Sequence, residues 1–354
     1  MNAEQAYPYS YCNLPKRPER ELAAGVTPVR ARMIRATEKK WVNGTNLRFY
    51  FFQTPEWGTS EEEKNIIRRA FQEWMNLGIG IKFSEITQPE YAEIRIGFLR
   101  GDGAWSYIGR DILNFPTNER TMNFGWDLTA DKQGFNTALH EIGHTLGFPH
   151  EHQNPYAGIV WNEEKVYNAM GGAPNHWDRD TTYENIIKKI STDSVQGSRW
   201  DPDSIMHYPF GPGMILEPAA YQNGLTPVPG LSANDIDWVQ KFYPPLSPND
   251  YSVLMPPQDN TPLNLENGEQ TNFILQPGED GSHIIRASPN TDMLLVLFLD
   301  RGGELYRIAA ADDSGQELQA EIRTDLNKAE KYVLSVHLYY KEEGTQAGLT
   351  VLKD

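Results

Sequence analysis

Residues 140 to 150 read His-Glu-Ile-Gly-His-Thr-Leu-Gly-Phe-Pro-His, and this run constrains the chain more than any other. His140 and His144 stand four residues apart, which is about one helical turn, so both imidazoles lie on the same helix face. Gly147 can adopt the left-handed conformation that ends a helix, and the chain can then turn back and bring His150 to the same point. Three imidazoles around one open position are typical of a catalytic zinc ion, whereas structural zinc sites are usually closed by four protein ligands.

Two further features support a catalytic site. A short His-Glu-x-x-His match also arises by chance on amphipathic helices, but the glycine and the third histidine at fixed offsets make the longer pattern specific. Glu141 lies beside the imidazole pair, where a carboxylate holds a water molecule without ligating the metal. Downstream, residues 204–208 read Ser-Ile-Met-His-Tyr, and Met206 is the expected residue of a Met-turn. Together the two motifs predict a zinc-dependent protease.

The extended zinc motif and the Met-turn resemble the metzincin clan of metalloproteases. The continuation Gly-Phe-Pro-His-Glu-His and the Ser-Ile-Met-His-Tyr turn resemble the astacins in particular. Residues 105–109, 121–124 and 242–244 are similar to bacterial astacin-like or matrixin-like enzymes, so the resemblance covers residues 38–246. It implies an α+β catalytic domain in which a twisted mixed sheet and two long helices enclose a zinc cleft.

The resemblance also implies a role for each site residue. The ligands of one Zn²⁺ ion would be His140, His144 and His150. Glu141 would be the general base, and Tyr208 would be a fifth ligand that swings aside and helps to hold the oxyanion. Met206 would form a hydrophobic floor under the metal. Glu151 matches the acidic residue that contacts the new amino terminus in mature astacins.

These roles predict an endopeptidase that hydrolyses protein or peptide substrates with metal-activated water. Two alternatives stay open. The chain would be a highly restricted exported effector protease if it cleaved a single target and no generic substrate. It would be a non-catalytic protein-binding or glycan-binding protein if the protease fold had lost its activity, although the complete ligand set and Glu141 argue against that.

Composition excludes several other classes. Hydrophobic residues make up 39% of the 354 residues, which supports packed cores, and no apolar run approaches the roughly 20 residues that span a membrane. The formal net charge is −16, which argues against nucleic acid and anionic membranes as partners. Most of the excess negative charge lies after residue 250. We interpret it as a contribution to solubility rather than as an acidic tail that binds a partner. Oligomeric state is not encoded in any of these patterns.

The N-terminus lacks the basic start and apolar core of a Sec signal peptide. We expect a protein secreted or exported from a bacterium, by a route that this stretch does not specify; an intracellular or injected effector is the alternative. Residues 1–37 are mixed, polar and rich in proline, and are interpreted as an irregular leader or propeptide-like segment on the catalytic domain.

Cys12 lies in this leader and is the only cysteine, which excludes an intramolecular disulfide. A thiolate is a good zinc ligand, so Cys12 could fill the open zinc position and keep the enzyme latent. The competing interpretation is a packed or exposed thiol with no such role.

Periodicity and capping residues predict the elements of the catalytic domain. A strand is expected at 47–52, and a helix opens at Ser60, where Glu63 completes a capping box. The zinc helix is expected at about 132–146. The other expected elements are strands at 81–83, 92–98, 105–108 and 121–124, and helices at 183–190 and 233–242. The strand at 121–124 is expected to be the sheet edge that pairs with substrate.

Prolines mark a linker at 247–260, and residues 261–354 alternate between short apolar runs and turns, which is typical of a β-sandwich. Strands are expected at 273–275, 283–287, 293–299, 305–309 and 332–338. This region resembles the bacterial pre-peptidase C-terminal jelly-roll domain. In the turn Asp312-Asp313-Ser314-Gly315 the aspartates could bind Ca²⁺, but a solvated turn is favoured because no full ligand set surrounds them.

Overall fold

The computed structural model describes residues 10–15, 21–24, 26–130, 132–192, 199–312 and 319–354. The chain forms two compact units, and each is described by itself. Among the described residues, the first unit contains 10–15, 47–78 and the chain from 83 to 242. The second contains the residues between 21 and 46, the short piece 79–82, and the chain from 243 onward.

The first unit is built on a five-stranded mixed sheet. The strands are β1 (Asn46–Phe51), β2 (Lys82–Glu85), β3 (Ile94–Gly97), β4 (Ala104–Ser106) and β5 (Met122–Phe124). Strand β1 pairs in parallel with β3, β3 pairs in parallel with β5, and β4 pairs antiparallel with β5. The spatial order is β2-β1-β3-β5-β4. The predicted α+β architecture is therefore confirmed.

The edge of this sheet differs from the prediction. Strand β5, which was expected to be the edge, has a partner on each side, and β4 occupies the edge position. The chain runs from β3 to β4 and then returns to insert β5 between them. Strand order depends on this long-range return, whereas the local sequence of each strand specifies only that it is extended.

Two long helices accompany the sheet. Helix α2 (Glu61–Asn76) begins after Ser60, as predicted, and the Ser60 side chain accepts a hydrogen bond from the Glu63 backbone N–H. The predicted capping box is only half formed, because the Glu63 carboxylate accepts from Arg100 and from the Leu128 backbone N–H instead. Its apolar face, including the fully buried Ile67 and Trp74, packs in the core. The Trp74 indole N–H donates to the carbonyl of Leu139 in helix α3 (Gln133–Thr145), which is the predicted zinc helix.

The rest of the first unit consists of short elements joined by long loops. None of the helices among the described residues has the length and apolar content that a membrane crossing requires. The expected helix at 183–190 corresponds to a helical turn at Tyr183–Ile187. The elements are β6 (Val160–Trp161), α4 (Glu163–Gly171), α5 (Arg179–Thr182), β7 (Ile215–Glu217) and α6 (Ala233–Phe242).

The C-terminal part of the second unit is all-β, as predicted. One sheet has the order β13-β12-β15-β10-β8 and the other the order β14-β11-β16-β9. The first sheet contains β8 (Ser252–Leu254), β10 (Gln270–Leu275), β12 (Thr291–Arg301), β13 (Glu304–Asp312) and β15 (Lys331–Lys341). The second contains β9 (Gln258–Pro262), β11 (Gly281–Ala287), β14 (Glu321–Leu326) and β16 (Gly348–Lys353).

One apolar cluster joins the two sheets. It includes Leu297 and Leu334 from the first sheet, and Ile285, Ile322 and Val351 from the second, all buried. Strands β8, β9, β14 and β16 were not predicted from the sequence. The candidate Ca²⁺ turn cannot be placed, because 313–318 lie outside the described residues.

The interpretation of residues 1–37 as an irregular leader is wrong for its last part. Residues Pro28–Thr37 form helix α1, which begins at the N-cap Thr27 with a proline in the first turn. Helix α1 belongs to the second unit, where Ile34 packs with Phe298 and Tyr339 on the outer face of the first β-sheet. Burial of this apolar face explains why the segment is helical in spite of its polar composition.

Candidate functional site

Helix α3 presents the two histidines of the zinc motif from one face. The His140 and His144 rings lie with their centroids 4.7 Å apart. Gly147 has a φ of 101°, the left-handed conformation predicted for it, and its N–H donates to the carbonyl of His144. The chain therefore reverses after α3, and the His150 ring lies 4.7 Å from that of His144 and 5.3 Å from that of His140.

Backbone carbonyls fix the orientation of the first two imidazoles. His140 Nδ1–H donates to the Ile205 carbonyl at 2.7 Å, and His144 Nδ1–H donates to the Phe148 carbonyl at 2.7 Å. With Nδ1 protonated, each Nε2 carries a lone pair for a metal ion. Burial lowers the pKa of His140 to about 4 and holds that of His144 well below its ordinary value, so both rings are neutral, which is the ligand form.

Cys12 completes a set of four ligand atoms. Its sulfur and one nitrogen from each of His140, His144 and His150 all lie within 4.8 Å of one another, and all four residues are buried. Three imidazole nitrogens and one thiol suit Zn²⁺. Burial raises the pKa of the Cys12 thiol, and the adjacent Glu141 raises it further, so a thiolate here needs a cation beside it.

The polar atoms around these ligands also fit a cation. The Nε2 of His140 is buried without a hydrogen-bond partner, and the Nε2 atoms of His144 and His150 lie 3.1 Å apart. In the ligand form of these two rings both nitrogens would present lone pairs to each other, and a shared divalent cation would satisfy them.

Glu141 is fully buried beside the ligand set. Its Oε2 accepts a hydrogen bond from the Cys12 thiol at 3.5 Å, while its Oε1 has no partner. Burial raises the pKa of this carboxyl to about 8. The carboxyl group is thus directed at the position that Cys12 occupies.

Tyr208 also contacts the ligand set. Its hydroxyl donates to the backbone carbonyl of Cys12 at 2.5 Å and lies 2.6 Å from His150 Nε2. Burial raises its pKa well above the ordinary value, so the hydroxyl stays protonated and able to donate. It already holds a carbonyl oxygen within the cleft.

Met206 is buried under the zinc helix. A Cβ atom added to Gly143 would meet the Met206 sulfur at 2.4 Å, so the glycine provides the space in which the methionine packs. This close approach ties the Met-turn to the helix that carries His140 and His144. It is consistent with a supporting, non-ligating position.

Hydrogen bonds accepted by two carboxylates hold the Met-turn. Asp235, in the first turn of α6, accepts from the Ser204 hydroxyl and from the Ile205 backbone N–H, at 2.6 and 2.8 Å. The Glu151 backbone N–H donates to the Met206 carbonyl, and its side chain accepts from Asn154 and from the Asp201 backbone N–H. Burial raises the pKa of Glu151 to about 7. The Ile205 carbonyl that orients His140 is therefore itself fixed.

The leader segment 10–15 lies in the cleft. The Asn13 backbone N–H donates to the carbonyl of Ala104 in the edge strand β4, at 3.1 Å. Asn185 accepts from the Leu14 backbone N–H and donates to the Asn13 side chain. A cavity of about 260 Å³ remains open beside His140. Segment 10–15 thus uses the sheet edge as an extended peptide would.

Sequence reasoning missed several residues of this site. His152 was given no role, yet its ring stacks on Tyr208 with centroids 4.6 Å apart, and its Nε2 binds the Asn185 carbonyl. Asn185 and Asp235 belong to no functional motif in the sequence. Asp235 could have been noticed only as an acidic residue in the first turn of the helix predicted after Ser232, which marks a capped helix start.

Comparison with known proteins gives concordant matches. A family model described as Astacin, a family of peptidases, matches residues 33–213. The protein SpAN of Strongylocentrotus purpuratus is 29% identical over 156 residues, which cover 42% of this chain and 22% of SpAN. Astacin-like metalloprotease toxin 1 of Loxosceles intermedia is 28% identical over 206 residues, which cover 52% of this chain and 67% of the toxin.

A solved structure agrees with these sequence matches. The structure of myroilysin is 33% identical, with a TM-score of 0.53, and the match covers 59% of this chain and 97% of myroilysin. The chain spans only about a fifth of the length of SpAN, so similarity to that relative is confined to one part of it.

Proposed function

This chain belongs to the astacin family of peptidases, and on that basis we propose that it is a zinc-dependent endopeptidase acting on protein or peptide substrates. The proposal rests on one observation above all: the three imidazole nitrogens of the zinc motif and the sulfur of Cys12 lie within 4.8 Å of one another. His140, His144 and His150 would hold the metal. Cys12 would occupy the position that substrate and water need.

The chain's own residues supply the rest of the chemistry. Zinc contributes the Lewis acidity that makes water a nucleophile at neutral pH. Glu141 accepts the proton of the attacking water and passes it to the leaving amine. The Tyr208 hydroxyl donates to the peptide oxygen as negative charge develops on it, as it already donates to the Cys12 carbonyl. Met206 supports the ligand set from below through its packing against Gly143.

A chelator-sensitive cleavage assay on denatured casein tests the proposal. Glu141→Gln should keep stoichiometric zinc and lose activity by at least about 10²-fold, because general base catalysis contributes on that order. Glu164→Gln is the matched control, since this glutamate is exposed in a surface ion pair with Arg179, and it should retain full activity. Near-normal activity of Glu141→Gln would refute the assigned base.

We also propose that Cys12 keeps the enzyme latent. Its sulfur lies among the ligand atoms, its carbonyl accepts from Tyr208, and its thiol donates to Glu141, so this single residue binds both proposed catalytic side chains beside the metal ligands. Substrate and the leader segment therefore exclude each other. The competing role, a merely packed thiol, predicts that removing the sulfur changes only stability.

Thiol labelling separates these two roles. Wild-type Cys12 should react slowly with a maleimide and much faster after zinc is removed by a chelator, because buried, metal-held thiolates are protected. The wild type should begin to cleave casein only after a lag, because the leader must first leave the cleft. Cys12→Ala should show no lag, whereas Ser10→Ala, two residues away, should keep it. An unchanged delay in Cys12→Ala would contradict the latch.

The remaining proposals follow from the family. We place the activity outside the cell, as the name of the Loxosceles toxin suggests for that relative. Glu151 would receive a new amino terminus after the leader is cut, since its buried carboxyl is held beside the Met-turn. A restricted effector would bind zinc yet fail on casein, and a non-catalytic protein would fail on every peptide; the catalytic groups described above favour neither.

A further inference from the structure

Tyr11, the residue before Cys12, fills an aromatic pocket beside the metal ligands. Its side chain is only 3% exposed. Its ring meets Tyr208 edge-on with centroids 4.7 Å apart and lies about 6 Å from the rings of Phe210 and Trp177, at 6.1 and 6.2 Å. The Tyr11 hydroxyl donates to the carbonyl of Pro209. The pocket thus offers apolar walls and one hydrogen-bond acceptor at its end.

Two walls of this pocket, Phe210 and Trp177, are held by contacts that do not involve the leader. Phe210 exchanges two backbone hydrogen bonds with Leu225, at 2.7 and 2.8 Å, and its ring packs edge-on against Trp161. The Trp177 backbone N–H donates to the Met170 carbonyl at 2.9 Å. Because none of these bonds involves residues 10–15, Phe210 and Trp177 keep these partners when Tyr11 leaves.

The main chain at Tyr11 is also recognised. Its backbone N–H donates to the side-chain oxygen of Asn175 at 2.9 Å, and two residues later the Asn13 N–H binds the edge strand. Between them, the Cys12 carbonyl binds Tyr208. Three successive residues are therefore held through their main-chain groups, with the middle one at the ligand set.

We propose that this pocket, defined by Tyr208, Phe210, Trp177 and the Pro209 carbonyl, is a specificity pocket for an aromatic side chain of the substrate. The proposal rests on the proteolytic function above and names its substrate class. Tyr11 is adjacent to the residue at the ligand set, so the aromatic residue lies within two positions of the scissile bond. The Pro209 carbonyl favours tyrosine over phenylalanine, because a buried hydroxyl needs an acceptor.

Binding of a small aromatic probe tests the pocket without requiring activity. In Tyr11→Ala the pocket is vacated, and p-cresol should bind to this variant, measured by calorimetry, but not to the wild type. Toluene should bind up to about tenfold more weakly than p-cresol, since it lacks the hydrogen bond to the carbonyl. Tyr156→Ala, which removes a tyrosine that is 57% exposed, is the control and should bind neither. Equal binding by all three proteins would overturn the proposal.

Cleavage-site profiling of the activated full chain provides the second test, and it does not depend on the folding of Tyr11→Ala. Sites cut in a peptide library should be enriched in Tyr, Phe and Trp within two positions of the bond. Trp177→Ala should lower this enrichment while the cutting of other sites persists, and Trp177→Phe should restore part of it. Cleavage without aromatic enrichment would overturn the pocket and leave the proteolytic function standing. Absence of cleavage with p-cresol bound would overturn the proteolytic function alone.

Discussion

The ion pair between Arg30 and Asp292 should be a main determinant of the stability of the second unit. Arg30 in helix α1 makes two hydrogen bonds to Asp292 in β12, both at 2.6 Å. The Asp292 side chain is 3% exposed and that of Arg30 is 26% exposed. Arg30→Met therefore leaves a buried carboxylate without this partner, which typically costs about 3–5 kcal/mol. Since Arg30 is partly exposed and water can replace it, we expect about 2–3 kcal/mol.

A double-mutant cycle followed by thermal unfolding measures this coupling. For a unit of this size, the single change should lower Tm by roughly 10 °C. Arg30→Met combined with Asp292→Leu should lower it less than the two single changes added together, because both charges are gone. Val29→Ala, at a neighbouring position that is 62% exposed, should change stability by less than about 0.5 kcal/mol. If Arg30→Met were as mild as Val29→Ala, the docking of helix α1 on the sheet would be wrong.

Three other changes have defined outcomes. Gly147→Ala forces a side chain into a φ of 101°, so it should cost about 1–2 kcal/mol and weaken zinc binding in a chelator competition assay. Gly134→Ala places a Cβ atom 1.9 Å from the Leu128 carbonyl oxygen, so urea unfolding should show that the free energy of unfolding falls by more than about 2 kcal/mol. Gly171→Ala is the control: its Cβ atom would lie 3.7 Å from the nearest atom, an ordinary contact, so its effect should be near neutral. Burial lowers the pKa of Lys40 to about 8, so the unfolded chain binds more protons between about pH 8 and 10.5. Stability should therefore rise with pH over that range, and Lys40→Met should abolish this rise.

Local sequence was sufficient to predict the elements that carry the metal site. The spacing of His140 and His144 predicted helix α3, and Gly147 predicted its end, because helix periodicity and the left-handed turn are properties of a few consecutive residues. Ser60 and Glu63 likewise predicted the start of α2. The histidine that follows the turn could be assigned to the same cluster for the same reason.

Features that depend on distant residues could not be predicted in this way. The insertion of β5 between β3 and β4 is set by the return of the chain, and the pairing of β14 and β16 with β11 is set by register across the sheet. Helix α1 had a local signal, Thr27 followed by Pro28, which the polar composition obscured.

The two parts of the leader have different roles, and this determines where it can be removed. Residues 10–15 contact the cleft of the first unit, whereas helix α1 contributes the fully buried Ile34 and the Arg30 ion pair to the second unit. A chain beginning at Glu21 should therefore lack the latch and cleave casein without delay, and it should unfold as the intact chain does because it keeps Leu22 and helix α1 in the core of the second unit. A chain beginning at Glu38 should also lack the latch, but its second unit should unfold at lower temperature, because loss of Ile34 alone exposes a core face. Equal stability of the two shortened chains would show that α1 is part of the removable leader after all.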